Sequence, residues 1–155
     1  MRIAGPCLLL FALAVMRVEA RLGETQAEIE KRYGPAIRKV KFQKPIERRF
    51  KYHFSGYIIE VSFIQDRCVM EAIERADRGF LGEDEVAAFL RANEAGSSWR
   101  REENSNTERG YRRADGKAIA HLDAYLTRFT VMSADSGTPS EEVDGKRVRK
   151  RLEGF

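Results

Sequence analysis

Cysteine and histidine are scarce in this chain: Cys7, Cys68, His53 and His121 are all it holds among 155 residues. That scarcity excludes a disulfide framework and the paired-cysteine zinc motifs, which need several such ligands at close spacing. No nucleophile elbow and no phosphate-cradling glycine loop is present. Long apolar runs are missing as well, apart from Ile3 to Val15, and that run is shorter than the roughly 18 to 20 residues needed to span a bilayer. No catalytic group, metal or cofactor is therefore expected, and the chain reads as a non-enzymatic protein.

The apolar run has the features of an export signal. Arg2 supplies a positive start, Leu8, Leu9, Leu10, Phe11 and Leu13 fill the centre, and Val18-Glu19-Ala20 offers a small-residue cleavage site. Residues 1–20 are expected to be removed before Arg21, leaving a periplasmic or secreted protein with no stable membrane span. Cys7 then leaves with the signal, and Cys68 has no intramolecular partner.

Charge is abundant, at 34% of residues with a formal net +4, and both signs are interspersed. Such a surface is solvated with a mild cationic excess. The excess gathers in two places: Arg38, Lys39, Lys41, Lys44, Arg48, Arg49 and Lys51 in one stretch, and Lys146 to Arg151 in the other.

Leu22-Gly23-Glu24 recurs as Leu81-Gly82-Glu83 about sixty residues later, with the same order of elements downstream, as in an internal duplication. In the first copy Thr25-Gln26-Ala27-Glu28 is a capping box, Ile29 and Tyr33 form an inward stripe, and Gly34-Pro35 ends the helix. In the second, Asp84 is the expected cap, with Val86, Phe89 and Leu90 inward and Asn93 to Ser98 as the breaker. Alternation over Arg49 to Phe54 predicts a strand, and Ser55-Gly56 a turn. A second strand has Tyr57, Ile59, Val61 and Phe63 buried with Glu60 and Ser62 facing water, and a third covers Arg67 to Ile73. In the second copy Tyr111 lies in the first strand, Asp115-Gly116 makes a hairpin turn, Ala118 to Leu126 is the second strand and Arg128 to Ser133 the third.

The expected fold is α+β: two tandem helix-plus-three-stranded antiparallel meander units packed together. Residues 21–77 form the first unit and 78–134 the second. Beyond them, 135–155 is expected to be a flexible basic tail, since its composition cannot bury enough surface to order itself.

Gly23, Thr25, Ile29, Gly34-Pro35, the aromatic strand, and the strand ending in Phe63 with Asp66 in its turn resemble the BamE/SmpA outer-membrane lipoproteins. The tandem arrangement resembles the β-lactamase-inhibitory protein type. The resemblance covers Leu22 to Ile73, and more loosely Leu81 to Ser133. It implies an envelope or secreted protein that binds another exported protein, as an inhibitor or an envelope-assembly accessory.

Candidate site residues are few. Arg49 and Lys51 share the outward row of a strand whose other row is aromatic, and with Arg112 they form a candidate basic binding face. Replacing Arg49 and Lys51 by glutamate is expected to alter that face while shifting stability by less than roughly 0.5 kcal/mol. An acidic protein or a polyanionic envelope component suits such a face. Nucleic acid does not, because strand alternation sends the aromatic rings to the core and leaves no stacking platform. His121 and Asp123, two apart on one strand, are the alternative, a small exported hydrolase or metal-dependent enzyme, although no third ligand stands at a recognisable spacing. Cys68, expected on the same side as Met70 and Ala72, reads as buried and inert.

Overall fold

The computed structural model describes residues 21–102 and 109–135. The expected signal segment 1–20 and the tail 136–155 lie outside the described residues, as do 103–108. The elements run α1 (Gln26–Tyr33), β1 (Arg38–Lys39), β2 (Arg48–Phe54), β3 (Tyr57–Ile64), β4 (Arg67–Arg75), α2 (Glu83–Arg91), β5 (Trp99–Glu102), β6 (Arg109–Arg113), β7 (Ala118–Leu122) and β8 (Arg128–Ser133).

The strands form one eight-stranded sheet in the order β1-β2-β3-β4-β8-β7-β6-β5, every pairing antiparallel. This overturns the expected fold class. Two three-stranded meanders packed together would each end in free edges. Here β4 and β8 hydrogen-bond instead, pairing Met70 to Glu74 with Met132 to Arg128, so the sheet is continuous through its centre. The likeness to BamE/SmpA proteins and to the β-lactamase-inhibitory type falls with that arrangement. Each helix is followed by four strands, the unforeseen ones being β1 and β5. β1 is too short to show a period, and β5 reads Trp99-Arg100-Arg101-Glu102, polar enough to resemble a loop.

Local chemistry explains the helices. Thr25 caps α1, its hydroxyl accepting from Glu28 N at 3.3 Å while the Glu28 carboxylate accepts from Thr25 N at 2.7 Å. α2 starts two residues earlier than expected: Gly82, not Asp84, is the N-cap, and the Glu85 carboxylate accepts from Gly82 N at 2.7 Å. Glycine has no side chain to cap with, so the acidic first turn of Glu83, Asp84 and Glu85 supplies the favourable charge.

Both helices lie on one face. Tyr33 of α1 stacks at 5.9 Å on Tyr52 and 5.3 Å on Phe54, while Phe89 of α2 meets Tyr57 at 5.4 Å and Phe129 at 5.7 Å. Those rings join Ile59, Val61, Phe63, Ile73, Leu122 and Val131 in the main core. The strand register then places the alternate residues on the opposite, helix-free face.

A bulge in β4 decides which of its residues go where. Ser62 pairs with Met70 but Phe63 pairs with Cys68, so Val69 is the extra residue. Cys68 faces the helices with Glu71 and Ile73, while Met70 and Ala72 face away. Alternation counted straight through from Cys68 assigns Met70 and Ala72 to its own side, and that expectation is corrected here: one inserted residue reverses the face. β7 also stops at Leu122 rather than at 126, because Asp123 begins a loop.

Candidate binding face

On the helix-free face, Arg38 of β1 stands opposite Lys51 of β2, Lys51 opposite Glu60 of β3, Glu60 opposite Ala72 of β4, and Ala72 opposite Thr130 of β8. His121 of β7 continues the row beyond Thr130. Three cations converge on the Glu60 carboxylate: Lys51 Nζ at 3.3 Å, Arg49 at 3.5 Å and Arg128 at 3.6 Å. Arg49 Nε also donates to Ser62 Oγ at 2.9 Å, and Arg128 is shared with Glu74. Arg112 sits on the same face but at its far side, paired with Glu102 at 2.5 Å. The structure therefore brings Arg49 and Lys51 together, adds Arg128, and leaves Arg112 apart.

Glu60 and Ser62 do not face open water as alternation suggested, being 7% and 0% exposed. Burial of Glu60 among three cations changes the expected effect of charge reversal at Arg49 and Lys51. Two new carboxylates would stand against a half-neutralised one, and truncating partners of a buried charge is strongly destabilising. Neutral replacement avoids the like-charge repulsion but still removes two of the three cations on Glu60, so its effect on the face is read beside its effect on stability.

His121 and Asp123 stand in different elements, β7 and the loop after it. His121 lies on the helix-free face of β7, whereas the Asp123 carboxylate accepts from Thr127 N at 2.7 Å, Thr127 Oγ1 at 2.9 Å and Arg128 N at 3.0 Å. Its oxygens close the β7–β8 loop, an Asx-type role. Among the described residues no cluster of three or more histidine, cysteine or acidic side chains is placed to hold a metal.

The second polar cluster was invisible to sequence reasoning. Glu71, fully buried on the helix side of β4, accepts from Tyr33 Oη at 2.6 Å and from an Arg21 guanidinium nitrogen at 3.3 Å. The Arg21 guanidinium also lies over the Tyr33 ring at 5.3 Å. The chain just after Arg21 is pinned beneath it, with Gly23 N donating to Cys68 O and Cys68 N to Glu24 O, both at 2.7 Å. Burial is the strongest single influence on the Arg21 charge and opposes it, but Glu71, Tyr33 and Glu24 together outweigh burial and raise the pKa. Burial, reinforced by Glu71, pushes the Tyr33 hydroxyl far above its usual 10. Only the bulge puts Glu71 inside, and no sequence signal marks it.

Tyr33 carries a pH signature. A phenol whose pKa is raised by folding contributes stability that is complete below its unfolded value near 10 and is lost as pH rises beyond it. Tyr33→Phe should cost about 1.5–3 kcal/mol at pH 7, through the hydrogen bond to a charged acceptor. Between pH 10 and 11.5 that gap should narrow, because the parent alone carries the Tyr33 penalty. Urea titrations at both pH values check this, and a constant gap would mean that the phenol ionises freely.

Cys68 is buried, and burial raises its thiol pKa well above the usual value. Its labelling by a thiol reagent is expected to be slow until denaturant is added. Rapid labelling of the folded chain would show that the bulge is misplaced.

No helix among the described residues is long and apolar enough to cross a membrane. No protein-family model matches the sequence. No curated protein sequence matches it either. Among solved structures, the chain is similar to a cysteine-rich secretory protein from Staphylococcus aureus, with a TM-score of 0.43 and 9% identity. That alignment covers 74% of this chain but 45% of the other.

Proposed function

We propose that this chain is an exported, non-enzymatic protein-binding module that takes an acidic segment of another exported or envelope protein on its helix-free sheet face. The observation that carries the reading is the convergence of Lys51, Arg49 and Arg128 on Glu60 within one uninterrupted sheet. A broad antiparallel sheet holds its backbone rigid, so side chains projecting from it are preorganised and lose little freedom on binding. Cations there steer an acidic partner toward the face and raise the association rate. Export rests on the signal-like residues 1–20, and an inhibitor or an assembly accessory are specific versions of such a binder. The alternative, a small exported hydrolase or metal-dependent enzyme using His121 and Asp123, draws no support from an Asp123 whose carboxylate is spent on its own loop.

A fluorescent oligoglutamate peptide serves as the probe. Its association with the full chain is expected to slow at least tenfold when sodium chloride rises from 20 to 200 mM, as screening shortens to about 8 Å near physiological strength. Replacing Arg49 and Lys51 together by glutamine should weaken binding several-fold, while His121→Ala should leave it unchanged. Thermal melting of the glutamine variant checks that the sheet persists. Equal binding by parent and variant at low salt would refute the cationic-face reading.

A further inference from the structure

Cations of two neighbouring stretches differ in what they do. On β2, Arg48 is spent on Asp66, and Arg49 and Lys51 on Glu60. Beside them, Arg38, Lys39, Lys41 and Lys44 are all exposed, and among the described residues none of these four forms an ion pair. From Pro35 to Ile46 the sequence holds no carboxylate side chain. Apolar side chains of the same stretch are also open to solvent, Ile37 being 59% and Phe42 39% exposed.

Basic residues on an edge strand discourage pairing with another chain, and β1 is an edge of the sheet. That accounts for Arg38 and Lys39. It does not account for the loop that follows, where no strand ladder is on offer and an exposed phenylalanine works against solubility. The loop is held at both ends, with Val40 N donating to Arg49 O at 2.8 Å and Glu47 N to Phe63 O at 2.9 Å. Between them Ile46 is buried, at 4% exposure, and its N–H donates to Gln43 O at 3.1 Å. Lys41, Phe42 and Lys44 are therefore presented together on a loop whose backbone is already fixed, so little freedom is lost when they bind.

We propose that β1 and the loop from Val40 to Glu47 form an adsorption surface for an anionic lipid bilayer, with the four cations at the headgroup phosphates and Phe42 entering the interface. Charge complementarity selects an anionic occupant, and the exposed ring selects a bilayer: a hydrated polyanionic glycan would neutralise the cations but leave Phe42 in water. Apolar side chains flanked by cations settle at the boundary between headgroups and acyl chains. Each Lys or Arg held near an anionic membrane raises partition about fivefold, so four together contribute several hundredfold. The attraction is screened beyond about 8 Å at physiological ionic strength, which makes adsorption reversible and salt-sensitive. Arg49 and Lys51 take no part, so this surface stands independently of the acidic-partner reading. Adsorption through an edge of the sheet leaves the helix-free face accessible to a protein partner.

Cosedimentation of the full chain with vesicles at low salt tests the charge. The quantity read is binding to vesicles of about one-third phosphatidylglycerol in phosphatidylcholine divided by binding to phosphatidylcholine alone, so contributions common to both cancel. The parent is expected to show a ratio of at least about a hundred, and Arg38→Gln, Lys39→Gln, Lys41→Gln and Lys44→Gln together should lower it at least about tenfold. Arg91→Gln, Arg100→Gln, Arg101→Gln and Lys117→Gln remove the same charge from exposed positions around the opposite edge, and should leave the ratio within about threefold of the parent. Phe42→Trp, which changes no charge, reads insertion: with lipids brominated on their acyl chains it should lose emission that the parent keeps, since the parent's single tryptophan, Trp99, lies on β5 at the far edge. A parent ratio near one overturns the proposal, as does an equal loss in the two fourfold variants, because net charge alone would then govern binding. Unquenched emission from the Phe42→Trp chain overturns the bilayer as occupant.

Discussion

Replacing Arg21 with alanine should lower unfolding stability by about 3–5 kcal/mol, the usual consequence of removing one partner from a buried ion pair. The side chains of Arg21 and Glu71 are 13% and 0% exposed, so little solvent reaches the carboxylate that would be left behind. Tyr33 Oη at 2.6 Å satisfies part of that carboxylate but cannot neutralise it. The double change Arg21→Met with Glu71→Gln is expected to recover most of the loss, because glutamine keeps an acceptor for Tyr33 and neither charge remains. Urea unfolding of the parent and both variants gives the comparison. A loss below about 1 kcal/mol for Arg21→Ala would mean that water already compensates Glu71. The position of this pin also gives the expected cleavage before Arg21 a structural consequence: the first residue of the processed chain would anchor α1 to β4, and trimming by a single residue would undo the pair.

Residues 21–77 expressed alone should show no cooperative thermal transition. In the whole chain Met70 to Glu74 of β4 hydrogen-bond to β8, and Phe129 and Val131 of β8 share one core with Ile29, Tyr33 and Ile73. Cutting at residue 77 turns the central strand into an edge, leaves its ladder groups unpaired and strips apolar surface from the first half. A remnant of that length is already marginal, since a domain of about 60 residues buries only roughly 60% of its extended-chain surface. Near-ultraviolet circular dichroism during heating decides the matter. A sharp transition close to that of the full chain would establish two independent domains.

Much local structure was legible in the sequence because short-range chemistry encodes it. The Thr25 and Glu28 capping box, the inward Ile29 and Tyr33, the Ser55-Gly56 turn and the alternation in β2 and β3 each depend on neighbours within a few residues. Backbone geometry bears out the turn, with φ of 49° at Ser55 and 84° at Gly56, where glycine occupies the left-handed region without strain. Arg49 and Lys51 were likewise placed correctly on the side of β2 away from the aromatic rings. Alternation needs no knowledge of what the strand packs against.

Sequence by itself thus determined both helices and the Thr25 cap of the first, the strand faces up to the bulge, and the charges available to the surface. Tertiary structure alone decided the rest. The joining of β4 to β8 couples residues far apart in the chain, and no local period records which edges pair. The bulge at Val69 moved Glu71 to the helix side of the sheet and Met70 to the helix-free side, since a period of two carries no memory of an inserted residue. Arg128 joined Arg49 and Lys51 around Glu60 only because that pairing of central strands brings β8 within reach of β3. The Asp123 carboxylate accepts from the amides of Thr127 and Arg128 in its own loop, a role that appears only once the chain has turned.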